Sequence, residues 1–318
     1  MGLCLVTGGA GFIGSHLVRA LLERGCPVRV LDDLSTGKRA NLAGLEPDIE
    51  LVVGDIRDQD VVRRCVAGAE VVFHLAARGS VPRSIDDPKG TNDVNVNGTL
   101  TLLVAARDAG TRRFIYSASS SAYGDTPRLP KQEAMTPQPK SPYAVSKLAG
   151  EHYCSCFADC YDLETISLRY FNVFGPRQDP HSQYAAVIPA FLSRMLRGER
   201  PIVFGDGEQS RDFCYVENAV YANLLSLDAD RLSGEVVNVA CGQRVSLNQI
   251  IRLINETLGT ELDAEYRPPR VGDVRHSLAD LSEAARVIGY KPRVMFAEGL
   301  ARSLEWYRQH LSPSPADR

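Results

Sequence analysis

No apolar run in the 318-residue sequence approaches the roughly 20 residues needed to cross a bilayer, which argues against a membrane-spanning chain. Charge of either sign is not in excess: 36 Lys and Arg stand against 39 Asp and Glu, for a net −3. That balance gives no basic field for nucleic acid and none for an anionic membrane, so neither is expected as a partner. No basic n-region or cleavage site accompanies Gly2-Leu3-Cys4-Leu5-Val6-Thr7, and a cytoplasmic protein is the expectation. The eight cysteines are scattered and lack paired C-x-x-C spacing, which disfavours a disulfide framework and a zinc site. Cys154, Cys156 and Cys160 do cluster, but within a helical pattern, and read as buried thiols with no metal. Internal repeats and low-complexity blocks are missing as well.

What is there is 44% hydrophobic and 24% charged, ordinary for a globular chain long enough for one large α/β domain or two unequal ones. The apolar run Leu3-Cys4-Leu5-Val6 reads as a buried strand, followed by Thr7-Gly8-Gly9-Ala10-Gly11-Phe12-Ile13-Gly14 and then a helical pattern from Ser15 to Arg24. Strand, glycine turn and helix are the context of a dinucleotide site. Gly8 permits the tight turn, Gly11 lets backbone approach a pyrophosphate, and Gly14 lets the helix pack on the strand. The phosphates sit at the helix N-terminus, where free N–H groups attract anions. A second strand, Val28–Leu31, ends at Asp32-Asp33, the place for an acid that holds the adenosine ribose 2′-OH. A carboxylate there repels a 2′-phosphate, so NAD is expected over NADP.

Further strands are expected at 50–53, 70–74, 114–117 and 164–168, with long helices over 92–109 and 143–160. Alternation of this kind predicts a doubly wound parallel sheet with ligands at the strand C-terminal ends. After about Arg169 the rhythm changes to shorter elements punctuated by Gly175-Pro176, Gly205-Asp206-Gly207 and Arg267-Pro268-Pro269-Arg270. Helices fit 185–197, 216–227, 247–257 and 297–310. The expected organisation is an NAD-binding domain over 1–169 and a smaller α/β substrate domain over 170–318, the two exchanging segments. Residues 312–318 read as a frayed end.

In the middle stands Ser141-Pro142-Tyr143-Ala144-Val145-Ser146-Lys147. Tyr143 and Lys147 are four apart and share a helix face. A phenol ionises near ~10, and a neighbouring ammonium favours the phenolate, so the pair suits proton transfer. Spacing alone also fits a surface lysine beside a half-buried tyrosine.

Taken together, the glycine spacing at 7–14, Asp32, Ser117-Ala118-Ser119-Ser120-Ser121-Ala122-Tyr123-Gly124, Tyr143-x-x-x-Lys147 and Arg169-Tyr170-Phe171-Asn172-Val173-Phe174-Gly175 resemble the extended short-chain dehydrogenase/reductase family over essentially the whole chain. Within it the sequence is most similar to UDP-hexose 4-epimerases, above all the bacterial group acting on UDP-N-acetylglucosamine. Related 4,6-dehydratases place Asp-Glu where this chain has Ser120 and Ser121, so the acids for water elimination are missing. Related decarboxylases tend to carry Glu at the position of Ser121.

The resemblance implies a Rossmann-like fold, bound NAD, a UDP-sugar substrate and a homodimer formed through 92–109 and 143–160. It implies catalysis by Ser119, Tyr143 and Lys147. NAD contacts follow from Gly8, Gly11, Phe12, Ile13, Gly14, Asp32, Asp33, Thr36, Gly37, Asp55, Ile56, Leu75, Ala76, Ala77, Tyr143, Lys147, Tyr170 and Val173. Substrate contacts follow from Ser80, Ser121, Tyr143, Asn172, Ala186, Val187, Val203, Phe204, Arg211, Arg270, Asp273 and Ser277. Ser121 also reads as a packing residue at the strand end. Ser277 stands where epimerases restricted to plain hexoses carry tyrosine, and a serine leaves room for an acetamido group. The implied reaction interconverts UDP-GlcNAc and UDP-GalNAc, with UDP-Glc and UDP-Gal as a further pair, and serves polysaccharide synthesis. A UDP-uronic acid 4-epimerase stays open through Arg78 and Arg83, as does a non-catalytic NAD-binding regulator.

Overall fold

The run Leu3–Thr7 (β1) is buried along all but its first residue, as a strand covered on both faces requires. Around it, the computed structural model, which describes residues 2–180, 186–269 and 274–311, sets a seven-stranded sheet. β2 (Val28–Asp32) and β3 (Ile49–Val53) lie on one side of β1. On the other side follow β4 (Ala69–His74), β5 (Arg113–Ser119), β6 (Glu164–Tyr170) and, last, the strand Glu235–Val239. All pairs are parallel. The order reverses direction between β1 and β4, and a crevice opens at that switch point beyond the carboxyl ends of the strands. The doubly wound Rossmann-like sheet expected from the sequence is present.

The helices confirm most of the expected spans and sharpen two. α1 (Phe12–Glu23) follows the glycine turn, and α2 (Gln59–Val66) is capped by Asp58, which accepts from Asp60 and Val61 N–H. The short α3 (Val81–Asp86) and α4 (Pro88–Asn92) lead into a π-helical turn, Asp93–Gly98, before α5 (Thr99–Asp108). The single helix expected over 92–109 is therefore interrupted. Asn95 turns inward in that wide turn, accepting from Arg78 N–H at 2.8 Å and donating to Ser146 Oγ at 3.0 Å. Interruptions of this kind gather at functional sites. α6 (Pro142–Tyr161) starts sharply: the Ser141 hydroxyl accepts from Ala144 N–H at 3.2 Å and Pro142 occupies the first turn.

In the C-terminal half, helices Val187–Leu196, Val216–Asp228, Leu247–Leu258 and Phe296–Leu311 agree with expectation within two residues at most ends. The strand Glu235–Val239 was not anticipated. It pairs with β6 in the main sheet, while helix Val216–Asp228 packs against α1. A second core of Phe174, Phe191, Phe213, Ile250 and Phe296 holds the remaining C-terminal elements together. Cys156 and Cys160 correct the reading of buried thiols: they lie exposed on the outer face of α6, whereas the other six cysteines are buried. Among the described residues no helix is long and apolar enough to cross a membrane. Arg270 and Asp273 lie outside the described residues.

Candidate active site

The glycine turn is built so tightly that side chains cannot enter it. A Cβ on Gly8, whose φ is +71°, meets Ala76 N at 2.7 Å, and one on Gly14 meets Gly8 O at 2.1 Å. Asp32 ties this turn to the end of β2. Its carboxylate accepts from Ala10 N–H and Leu34 N–H, both at 2.9 Å, while Gly37 lies against it. Burial pushes this carboxyl up, and the two N–H donors oppose the rise. The N-terminus of α1 carries no side-chain cap and no acid in its first turn, so its N–H groups remain for a ligand's phosphates. These features fit NAD.

Around this cradle the other residues expected at the cofactor take varied places. Asp33 accepts from Ser35 N–H and hydroxyl, and Thr36 follows in the same loop. Asp55 is engaged by Arg57, and Ile56 packs beneath Gly98. Leu75 and Ala76 hang on Thr7, through its carbonyl and its hydroxyl respectively, and Ala77 continues that loop.

Beyond the strand ends a cavity of about 360 Å³ opens. Its wall brings together Ile13, Ser119, Ser121, Tyr143, Tyr170, Asn172, Val173, Arg211 and Ser277, all named from the sequence. β5 delivers Ser119 at its last residue and α6 delivers Tyr143 in its first turn. Ser121 donates its hydroxyl to Ser119 Oγ at 2.9 Å, and Ser119 hydrogen-bonds Tyr143. Burial pushes the Tyr143 phenol above its ordinary value, and the Ser119 bond opposes that rise. The direction in the protein alone is thus the reverse of the depression expected from a neighbouring ammonium.

Lys147, one turn along, is buried with its ammonium 4.6 Å above the Tyr116 ring. Burial pulls it down to about 8, and Glu151 opposes that fall. Beneath it lies His74, whose protonation follows from its partners. Thr99 donates to Asn95 O at 2.7 Å, so its oxygen accepts from His74 Nε2 at 2.8 Å. His74 Nδ1 is then the acceptor for the Thr7 hydroxyl at 2.8 Å. Burial and the Lys147 charge hold this imidazole neutral.

At the other end of the cavity Asn172 and Ser277 meet. Asn172 donates to Asp212 O at 3.0 Å and to Ser277 Oγ at 3.4 Å, and Asp212 N–H donates to Ser277 Oγ at 3.3 Å. Arg211 reaches the carbonyls of Ser210 and Arg275, at 3.1 and 3.0 Å. Arg211, Arg244 and Arg275 lie close enough to His276 to depress its pKa after burial, against Asp125, and Arg275 is itself paired with Asp206 at 2.9 Å.

Other expected contacts lie off the cavity wall. Ser80 caps α3, Ala186 and Val187 start a helix, and Val203 is fully buried in the second core next to Phe204. Tyr123, Gly124, Lys131, Phe171 and Val274 line the cavity without having been singled out, although Tyr123-Gly124 and Phe171 stood inside quoted motifs. Nothing in the local sequence pointed to Lys131.

A glycine cradle fit for a nicotinamide dinucleotide thus stands at the switch point beside the cluster of Ser119, Tyr143 and Lys147, the arrangement expected of an NAD-dependent site. Residues 4–240 match the NAD dependent epimerase/dehydratase family. A UDP-glucose 4-epimerase of Mycolicibacterium smegmatis is 42% identical over 308 residues, which cover 96% of this chain and 98% of that protein. Among solved structures, a UDP-N-acetylglucosamine 4-epimerase from Methanobrevibacter ruminantium, in complex with UDP-N-acetylmuramic acid, superposes with a TM-score of 0.93. It is 41% identical, over 97% of this chain and 99% of that one. A Thermus thermophilus UDP-glucose 4-epimerase in complex with NAD gives a TM-score of 0.89 at 36% identity, over 96% and 99%. The chain belongs to the NAD dependent epimerase/dehydratase family. Within it, the protein is an NAD-dependent nucleotide-sugar 4-epimerase of the UDP-hexose type.

Proposed function

We propose that the protein interconverts UDP-N-acetylglucosamine and UDP-N-acetylgalactosamine, with UDP-glucose and UDP-galactose as a second pair. The observation that carries this reading is Ser277. Its oxygen already accepts from Asp212 N–H and Asn172 Nδ2, so its own proton is left to donate. A small side chain with a free donor in the cavity wall suits an acetamido carbonyl. The missing Asp-Glu at Ser120 and Ser121 leaves no acid pair for dehydration.

In this reading Arg211 and the surrounding guanidiniums hold the diphosphate, for which a planar fork is well shaped. Tyr143, as phenolate, takes the proton of the 4-hydroxyl, and Ser119 hydrogen-bonds the same oxygen. Lys147 holds the nicotinamide ribose hydroxyls and supplies positive charge behind the phenol. Bound NAD supplies first the acceptor and then the donor of hydride at C4, so no net redox change results. Between the two transfers the 4-keto sugar turns about its phosphate linkage and offers its other face. Tyr143 then returns the proton. The arrangement needs a firm grip on the nucleotide and a loose one on the hexose, and guanidiniums for the first with small hydroxyls for the second supply it. We also infer a homodimer through α5 and α6. Val145 is 53% exposed on α6, and Cys156 lies within about 20° of it around the helix.

The test is incubation with UDP-GlcNAc and with UDP-Glc, without added NAD, for the wild type, Ser277→Tyr and Tyr143→Phe. UDP-GalNAc is expected from the wild type. Ser277→Tyr is expected to shift preference toward the plain hexose by about tenfold, the effect of crowding one pocket group. Tyr143→Phe is expected to lose at least about 100-fold in rate while keeping UDP-sugar affinity. An unchanged preference in Ser277→Tyr sinks the acetamido assignment, and near-wild-type turnover in Tyr143→Phe sinks the mechanism.

A further inference from the structure

Lys131 forms part of the cavity wall beside Ser121, Tyr123 and Gly124, and its residue is only 1% exposed. Its backbone is sewn to the segment that follows Ser277. Lys131 N–H donates to Leu278 O at 2.7 Å, and Lys131 O accepts from Asp280 N–H at 2.9 Å and from Asn238 Nδ2 at 3.0 Å. The lysine is thereby fixed next to the Ser277 end of the cavity.

Its ammonium donates to the carbonyl and the hydroxyl of Thr126, both neutral oxygens. An ammonium has three donors, so one remains, and neutral acceptors do not cancel its charge. Among the described residues no carboxylate comes within ion-pairing distance of it; exposed Asp125 acts only from farther off. Other buried cations of this chain are treated differently. Arg113 meets Glu164 at 2.5 Å and Arg169 meets Glu151 at 2.7 Å. A buried charge without a counter-charge is costly, and burial does pull the Lys131 ammonium below its ordinary value. An anion brought in by the ligand removes that cost. Arg78 and Arg83, the cations the sequence offers for such a role, do not line the cavity, and Arg78 is held by Asp87 at 2.5 Å.

We propose that Lys131 is a specificity-determining residue that admits UDP-hexoses bearing a carboxylate, on the ring or on a ring substituent, alongside neutral ones. This rests on the UDP-hexose reading of the cavity. Two sources of the carboxylate share that chemistry: a uronic acid at C6 and an acidic ether on a neighbouring ring oxygen.

Calorimetric titration of the NAD-loaded protein separates them, using UDP-glucuronic acid against UDP-glucose and UDP-N-acetylmuramic acid against UDP-GlcNAc. In the wild type at least one acid is expected to bind within about tenfold of its neutral counterpart. Lys131→Met is expected to raise that acid-to-neutral ratio of Kd by about tenfold or more, and Lys131→Arg to restore it to within about threefold. The acid that responds identifies where the carboxylate sits. If both acids bind more than about 100-fold weaker than their neutral counterparts in the wild type, the proposal is overturned whatever the variants do. An unchanged ratio in a folded Lys131→Met protein overturns it equally. Conversion of UDP-GlcNAc by the same preparation reports separately on the epimerase reading. Conversion without acid binding removes only the Lys131 assignment, and acid binding that Lys131→Met weakens, without conversion, supports Lys131 while removing only the neutral-sugar reading.

Discussion

In the proposed mechanism the proton moves among the three neighbouring hydroxyls of Ser121, Ser119 and Tyr143, and the buried Lys147 charge behind them sets the pH range. Lys147 is drawn down to about 8 by burial and held up by Glu151. A lysine with a lowered pKa keeps its cation below that value and loses it as pH rises through it. Turnover is therefore expected to fall on the alkaline side near pH 8. Glu151→Gln removes the carboxylate that holds the lysine up and leaves the Arg169 guanidinium, now 2.7 Å from that carboxylate, without its counter-charge. The alkaline limb of kcat/KM, which reports the free enzyme, is expected to move to lower pH in this variant. A pH–rate profile with an unmoved limb excludes Lys147 as the titrating group. The spacing of Tyr143 and Lys147 placed them on one helix face, and only the surrounding motifs singled them out as a candidate pair. The part played by Ser121 was not legible, because a serine after a strand reads equally as a packing residue until its hydroxyl is seen to donate to Ser119.

Between elements, Arg113 fastens the two halves of the chain. It sits fully buried on β5, pairs with Glu164 on β6, and donates to the carbonyls of Ser226, Leu227, Ala229 and Asp230 at the end of helix Val216–Asp228. Cations are favoured at a helix C-terminus, where carbonyls lack intrahelical partners. Arg113→Met leaves a carboxylate and four carbonyls without their donor and is expected to cost about 3 kcal/mol or more. Urea unfolding measures this, and a loss under about 1 kcal/mol removes Arg113 from that role. Helix spans were readable from the sequence pattern and its bounding turn residues, although the buried side of α6 carries Ser146, Lys147 and Glu151 beside Ala144, Cys154 and Phe157. The π-helical turn at Asp93–Gly98 was not, and it accompanies an inward bond from Asn95 to Ser146, a contact across 51 positions.

The whole molecule carries its site where the N-terminal sheet and the C-terminal elements meet, so neither stretch completes the cavity alone. The proposed pairing of two copies through α5 and α6 would cover the exposed Val145 and Cys156 of α6. Sedimentation equilibrium is expected to give twice the 34.8 kDa mass of the chain, and Val145→Glu to weaken the pairing. A wild-type mass of one chain excludes the homodimer.

The amino-acid sequence alone determined the alternating strands and helices, the glycine turn, the acid at Asp32 and the Tyr143–Lys147 pair. Those features depend on periods of two and 3.6 residues and on the backbone freedom of glycine, all of which are local. The tertiary structure decided the seventh strand, the neutral His74, the contacts of Ser277 and, among the described residues, the lack of a carboxylate paired with Lys131. Ser277 meets Asn172 across 105 positions, and Lys131 reaches the cavity only because its backbone is bound to Leu278 and Asp280. Which donor is left over, and which charge lacks a partner, follows from the full set of neighbours, and only folding assembles that set.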